Sequence, residues 1–256
     1  MTTVRETLAV ARLGGRIYWR DKQALTATVL TSVGLGIGLP VMMDRLRPGE
    51  TSVIVAQLLG MLAVSLTLSG FNQSAVSLTA RRDQLILKRL RASGLGDGAV
   101  LGGELLNIMA QGVLIALVTT VAVVNLTSAT APRDPVLFTV FVVLGAAVIT
   151  SLGAAWTVVI PRAEVAAPLS IPFFMIAGLG AGAFGPMNQL LPGWLSTVLD
   201  LLPTAAVVTV GRATFADGTF AGDLQAAVVP LLNLSVWAAV ALLVISRRFR
   251  WEPRRS

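Results

Sequence analysis

Six apolar runs alternate with short polar stretches along the chain, each long enough to cross the roughly 30 Å hydrocarbon core of a bilayer as a helix. They extend over Ala24–Met43, Val53–Leu78, Ala99–Asn125, Val136–Ile160, Val165–Phe184 and Ala226–Ile245. The fourth and fifth are separated only by Pro161-Arg162-Ala163-Glu164, which predicts a tight helical hairpin. The stretch before the first run is too long for the leading region of a cleavable signal peptide. On a helical wheel its Arg5, Arg12, Arg16 and Arg20 share one arc, with Val10, Ala11, Ile17 and Tyr18 mostly opposite. That pattern predicts a helix lying in the membrane interface, with Tyr18 and Trp19 at headgroup depth. Between the fifth and sixth runs, Gly185 to Asp223 is long yet apolar, and Pro192 and Pro203 divide it. Short helices that dip into or lie on the outer leaflet are expected there, because backbone at that depth must be helical or covered by protein.

Composition agrees with this pattern. Hydrophobic residues make up 55% of the 256 and charged residues only 13%, with a mean hydropathy of +0.78, which marks an integral membrane protein. The expected fold is an all-α polytopic membrane protein: six transmembrane helices, an N-terminal interfacial helix and short external re-entrant helices before the last span. A single transmembrane domain covers residues 1–256. Within it, 1–23 form the interfacial helix, 24–184 spans one to five, 185–223 the external segment, 224–246 span six and 247–256 the tail.

The absence of cysteine and histidine excludes disulfides, thiolate metal sites, cysteine nucleophiles and imidazole bases. The two lysines, Lys22 and Lys88, follow no glycine loop, so no phosphate-cradling motif exists. The net charge of +7 is explained by membrane flanks and not by nucleic acid. Of twenty basic residues, sixteen fall in the N-terminal stretch, the second-to-third loop, the fourth-to-fifth loop and the tail. Four fall in the opposite loops: Arg45, Arg47, Arg133 and Arg212. That asymmetry places both termini in the cytoplasm.

The densest basic patch, Arg81 to Gly94, reads "RRDQLILKRLRASG". If helical throughout, it sets Ile86, Leu87 and Leu90 on one side and Arg81, Gln84, Lys88 and Arg91 on the other, so it rests on the membrane and presents charge below. In the third run Glu104, Asn107 and Gln111 share one face, and Asn72 and Gln73 lie at comparable depth. These polar groups should face protein or a wet cavity, because lipid is costly for them. They either border a transport route or hydrogen-bond between helices. "GLGIG" (Gly34 to Gly38) and "GLGAG" (Gly178 to Gly182) hold small residues four apart, a spacing that permits close helix approach.

The order of these features resembles the type-2 ATP-binding-cassette (ABC) exporter permeases, and more narrowly the small bacterial drug-export members. The resemblance covers essentially the whole chain. The family's second-to-third loop reads Arg-Glu-x-Gly-Thr-Leu-(Lys/Glu)-Arg-Leu, followed by a Ser/Thr-Pro-Leu element. Arg82, Asp83, Leu87, Lys88, Arg89 and Leu90, then Ser93 and Leu95, fit it. Asp83 replaces the family's glutamate, Leu85 its glycine and Gly94 its proline. Leu202-Pro203-Thr204 leading to Arg212 resembles a second family pattern, and Arg247 to Pro253 its basic-aromatic tail.

The resemblance implies a permease subunit that exports an amphipathic or hydrophobic compound, with a separate ATPase chain holding ATP and Mg while this chain binds no cofactor itself. It implies ATPase coupling through Arg81, Arg82, Asp83, Lys88, Arg89 and Arg91. A transport path along Asn72, Gln73, Glu104, Asn107, Gln111, Phe173 and Phe174 joins the seam to apolar walls. Gly34, Gly38, Gly178 and Gly182 fall at an interface with a second permease copy or paralogue. The expected setting is the bacterial plasma membrane, with membrane lipid and a small-molecule substrate as further partners. An ATP-independent channel or carrier, or export of a glycan or lipid-linked polymer, stands as the alternative.

Overall fold

A computed structural model describes residues 2–20, 22, 26, 29–184, 192–249 and 251. Helix α1 covers Thr2–Arg20, and α2 covers Gly34–Leu46 behind a π turn at Val29–Val33. The next long helix, α3, runs Thr51–Asp83 and carries a π segment at Thr67–Asn72. The short α4 (Ile86–Ala92) leads into α5 (Asp97–Leu126) and α6 (Pro135–Trp156). After α7 (Ala163–Ala181) come α8 (Gly193–Asp200), α9 (Pro203–Phe215), α10 (Phe220–Ala226) and α11 (Val228–Arg248). No strand occurs among the described residues.

Among the described residues, five helices are long and apolar enough to cross a membrane: α3, α5, α6, α7 and the α10–α11 unit Phe220–Arg248. The α8–α9 pair, bent by 87° at its break, passes the same test as a pair, a broken span or a re-entrant loop. The expected first span, Ala24–Met43, is not among them. Residues 23–25, 27 and 28 lie outside the described set, and the described part is α2 with its π turn. Residues 185–191 of the external segment, and 250 and 252–256 of the tail, also lie outside it.

Helix α3 is the axis of the bundle: 83% of its apolar window is buried, against 17% for α10–α11. Ile54, Leu58, Leu59, Leu62 and Leu66 are all within 1% of full burial. Lipid tails are as apolar as leucine, so helix association here rests on close packing. Small residues supply it. Gly145 of α6 faces Val207 of α9, Gly211 of α9 faces Leu59 of α3, and Gly60 of α3 faces the backbone of Ala183.

The short helices expected before the last span are present, and prolines set their limits. Pro192 precedes α8 and Pro203 is the first residue of α9, a position where the missing N–H costs nothing. The two helices differ in setting. Helix α8 is largely exposed, whereas α9 is buried from Pro203 to Val208. At this end Arg133 joins the α5–α6 loop to the α9–α10 region. It donates to the Ala216 carbonyl (3.0 Å) and to the carboxylate of Asp223. A hydrogen bond with Asp223, reinforced by burial, holds the Asp134 carboxyl above its ordinary range.

Candidate functional site

The basic patch is not one helix. Helix α3 ends at Asp83, a turn occupies Gln84 and Leu85, and α4 starts at Ile86. The Leu85 N–H donates to the Arg82 carbonyl (3.0 Å) and Leu85 itself adopts φ 60°. This is a left-handed helix stop of the kind glycine usually fills. The leucine standing where the resembled motif has glycine therefore carries backbone strain. Leu85 is 40% exposed, so it gains little packing in return. The left-handed penalty of roughly 1–2 kcal/mol exceeds glycine's flexibility cost of roughly 0.5–1 kcal/mol. Leu85→Gly is expected to raise the thermal unfolding midpoint and Leu85→Val to lower it. A midpoint lowered by glycine and untouched by valine would contradict the strain.

The turn divides the six charged residues into two groups. Arg82 points inward and is 2% exposed. It donates through Nη1 to the Thr157 carbonyl (3.2 Å), and through Nη2 to those of Ile160 (3.2 Å) and Pro161 (3.1 Å). Its Nε bonds Asp83 at 3.3 Å, and Asp83 in turn accepts from the Ala163 N–H at 2.8 Å. A planar guanidinium suits such a fork. The pair thus fastens the end of α3 to the α6–α7 hairpin loop, and Arg82 is not on the outward face. Arg81 also turns inward, at 3.0 Å from Glu104. Lys88, Arg89 and Arg91 are exposed on α4, while Leu87 anchors it at 1% exposure. Arg91 pairs with Asp97 at 2.6 Å and stacks on Trp251, 4.6 Å from the ring centre.

The intramembrane polar residues form a ladder between α3 and α5. Gln73 donates to Gln111 (3.1 Å), and Gln111 donates to Asn107 (3.1 Å). Ser77 donates to Glu104 Oε1 (2.9 Å), beside the Arg81 ion pair. Glu104 is 2% exposed and its Oε2 has no partner among the described residues. Helix α1 covers this ladder. A Cβ on Gly14 would lie 3.0 Å from Asn107 Nδ2, and Gly103 of α5 seats Val10. Within the protomer these residues form an interhelical hydrogen-bond network. Asn72, half-buried at the end of the π segment, is outside that ladder.

The two aromatic path residues also part. Phe173 meets Phe71 at 4.6 Å and Trp156 at 4.8 Å between ring centres. Phe174 packs beside Met61, Val64 and Ala183. The π segment that positions Phe71 is rich in hydroxyls that bond back to the preceding turn. Thr67 donates to the Ala63 carbonyl (2.8 Å) and Ser69 to that of Ser65 (2.6 Å). The Ala63 carbonyl also keeps the Thr67 N–H, so the hydroxyl adds a second donor there, the kind of back-bonding that bends helices.

The four glycines divide as well. Gly34 and Gly38 are exposed on α2, with nothing among the described residues within 4 Å of an added Cβ. Gly178 is buried, and its Cβ would meet Val64 at 2.8 Å. Gly182 ends α7 at φ 77°. That pair is therefore used in the fold of the protomer itself.

A helical bundle of membrane-spanning length, with a basic helix–turn at one end and a bent helix pair whose second member is buried before its last span, defines a polytopic membrane protein. The chain belongs to the ABC-2 type transporter family, whose pattern matches residues 6–216. It is a permease component of an ABC transporter and not a catalytic domain. Members of the family generally work with a separate ATP-binding subunit. Among individually curated proteins, none matches the chain.

Proposed function

We propose that the chain is the membrane half of an ATP-driven exporter that moves an amphipathic or hydrophobic molecule out of the cytoplasm or inner leaflet. The observation that carries this is the Arg82 fork. Helix α4 presents Lys88, Arg89 and Arg91 outward, while its root is pinned to the α6–α7 loop. A push on α4 is then shared by α3, α6 and α7. An ATPase subunit holding ATP and Mg docks on this basic face. Exposed Gly34 and Gly38 mark where a second permease copy approaches. The basic turn, the α6–α7 loop and Trp251 meet at one end of the bundle, while Arg133 and Asp223 lie at the other. With the sixteen-to-four division of basic residues, this supports cytoplasmic termini in a bacterial plasma membrane.

The apolar cargo is supported by span cores without lysine or arginine and by adaptable aromatic walls. Co-expression with its ATPase in a drug-sensitive host is expected to lower the accumulation of lipophilic dyes in an ATP-dependent way. Unchanged accumulation across a broad panel, with loss of a surface polysaccharide on deletion, would replace this cargo with a glycan.

A further inference from the structure

Helix α1 presents three different faces. One packs on α5, where Val10 is buried against Gly103 and Gly14 lies against Asn107 and Glu104. The second is the arginine arc, with Arg5, Arg12, Arg16 and Arg20 all exposed. The third is apolar and open: Val4, Leu8 and Trp19 are exposed, Trp19 by 58%. At 3.6 residues per turn, Leu8 and Trp19 border the arc beside Arg12, and the exposed Leu13 borders it beside Arg20.

The arc has no counter-charge within the protein. None of its four guanidiniums pairs with a carboxylate among the described residues. Glu6, the one acid of α1, is half-buried outside the arc. Glu104, on the α5 face beneath α1, is held by Arg81, and on α4 Arg91 already meets Asp97. Arg12, Arg16 and Arg20 stand about one turn apart, a spacing at which like charges destabilise a helix. Gly14 and Gly15 weaken its interior further. The seat on α5 offsets this along one face only, and a row of anions would offset it along the other.

The borders of the arc indicate which anions. A face turned to bulk water would leave Leu8, Leu13 and Trp19 wet on both sides of it. Basic residues flanked by apolar ones, a tryptophan among them, fit the boundary between acyl chains and headgroups. At that depth the counter-charge is a lipid phosphate, whose oxygens a guanidinium can engage two at a time.

We infer that the arginine arc of α1 binds anionic lipid headgroups, phosphodiesters with net negative charge such as phosphatidylglycerol, in preference to zwitterionic phosphatidylcholine. The lipid is a component of the bilayer and not a cargo, so the inference holds whether or not the chain exports an amphiphile.

The test places one probe inside the arc. Ala9 is exposed there, and Ala9→Cys is the sole cysteine of the full chain, so it alone is labelled with bimane. The protein is placed in phosphatidylcholine nanodiscs in which a small fixed fraction of lipid carries a nitroxide near the headgroup, as phosphatidylglycerol or as phosphatidylcholine. At low salt the phosphatidylglycerol label is expected to quench as though about fivefold enriched beside the probe, the ratio one basic residue near an anionic surface supplies. Raising the salt should shrink that excess, a readout that needs no variant. Replacing Arg5, Arg12, Arg16 and Arg20 by glutamine should make the two labels quench alike, with circular dichroism identifying a folded variant. Three results would each overturn the inference. They are equal quenching by the two lipids in the parent at low salt, an excess indifferent to salt, and an excess that survives the four glutamines in a folded variant. The last would assign the enrichment to other basic residues at this end of the bundle. No ATPase is present, so a failure of export leaves the result standing.

Discussion

Arg82→Met is expected to lower the stability of the folded protein by about 3 kcal/mol, the scale of a buried charge network deprived of one member. Arg82 is 2% exposed and bonds the carbonyls of Thr157, Ile160 and Pro161. Methionine fills similar volume but leaves those acceptors without a donor, in a place where an unmet carbonyl is costly. Asp83 keeps the Ala163 N–H yet loses its guanidinium. Arg82→Lys should fall between, since an ammonium cannot reproduce the fork. Arg89→Met, at an exposed position on α4, should stay within about 0.5 kcal/mol of the parent. Thermal unfolding in detergent separates the three. Arg82→Met melting together with Arg89→Met would show that the fork contributes nothing.

Gly153→Val is expected to be comparably damaging, and by a different route. A Cβ at Gly153 would press into the Ser74 hydroxyl and the Phe71 carbonyl, and would stand 2.7 Å from Phe71 Cα. The Phe71 contacts are with backbone, which cannot swing away. The same crossing carries the Ser74 bond to the Thr150 carbonyl (2.9 Å). Overpacking costs roughly 1–3 kcal/mol, occasionally more, and here it would also separate α3 from α6 beside the π segment. Gly34→Val and Gly38→Val meet no neighbour among the described residues. They should leave the melting temperature within a few degrees of the parent, a shift of the size an uncrowded helix position gives. If those exposed glycines face a second copy, chemical crosslinking should nevertheless fall in both. A parent-like melt for Gly153→Val would contradict the close α3–α6 crossing.

Much of this architecture was legible because the bilayer imposes simple rules on sequence. The lengths of α3, α5, α6, α7 and the last span, and the proline-set limits of α8 and α9, follow from apolar runs and turn residues. The direction of individual side chains was not legible. A wheel drawn through Arg81–Arg91 presumes an unbroken helix, and nothing local shows that Leu85 takes a left-handed conformation. Once the chain turns there, Arg82 falls inward and Lys88 outward. The aspartate next to Arg82 is a weak sign of such a buried network. The polar seam lies on one face of α5, as its spacing predicts, but its cover was not legible. Gly14 and Gly15 of α1 approach that face only through tertiary packing. The π segment likewise shows in sequence only as a cluster of hydroxyls and Gly70. The Arg133–Asp223 link joins residues ninety apart, a separation at which a lone arginine gives no hint of its partner.

On the proposed reading, an ATPase acting on the basic helix drives cargo through this chain. Proteoliposomes containing the chain and its ATPase subunit, loaded with a fluorescent lipophilic amphiphile, measure it directly. ATP should accelerate transfer of the amphiphile across the bilayer. Lys88→Glu with Arg89→Glu should abolish that acceleration while the variant still inserts and folds, because reversed charge at a docking surface costs several kcal/mol. Transfer that proceeds equally without ATP, or an unimpaired charge-reversed variant, would contradict the account.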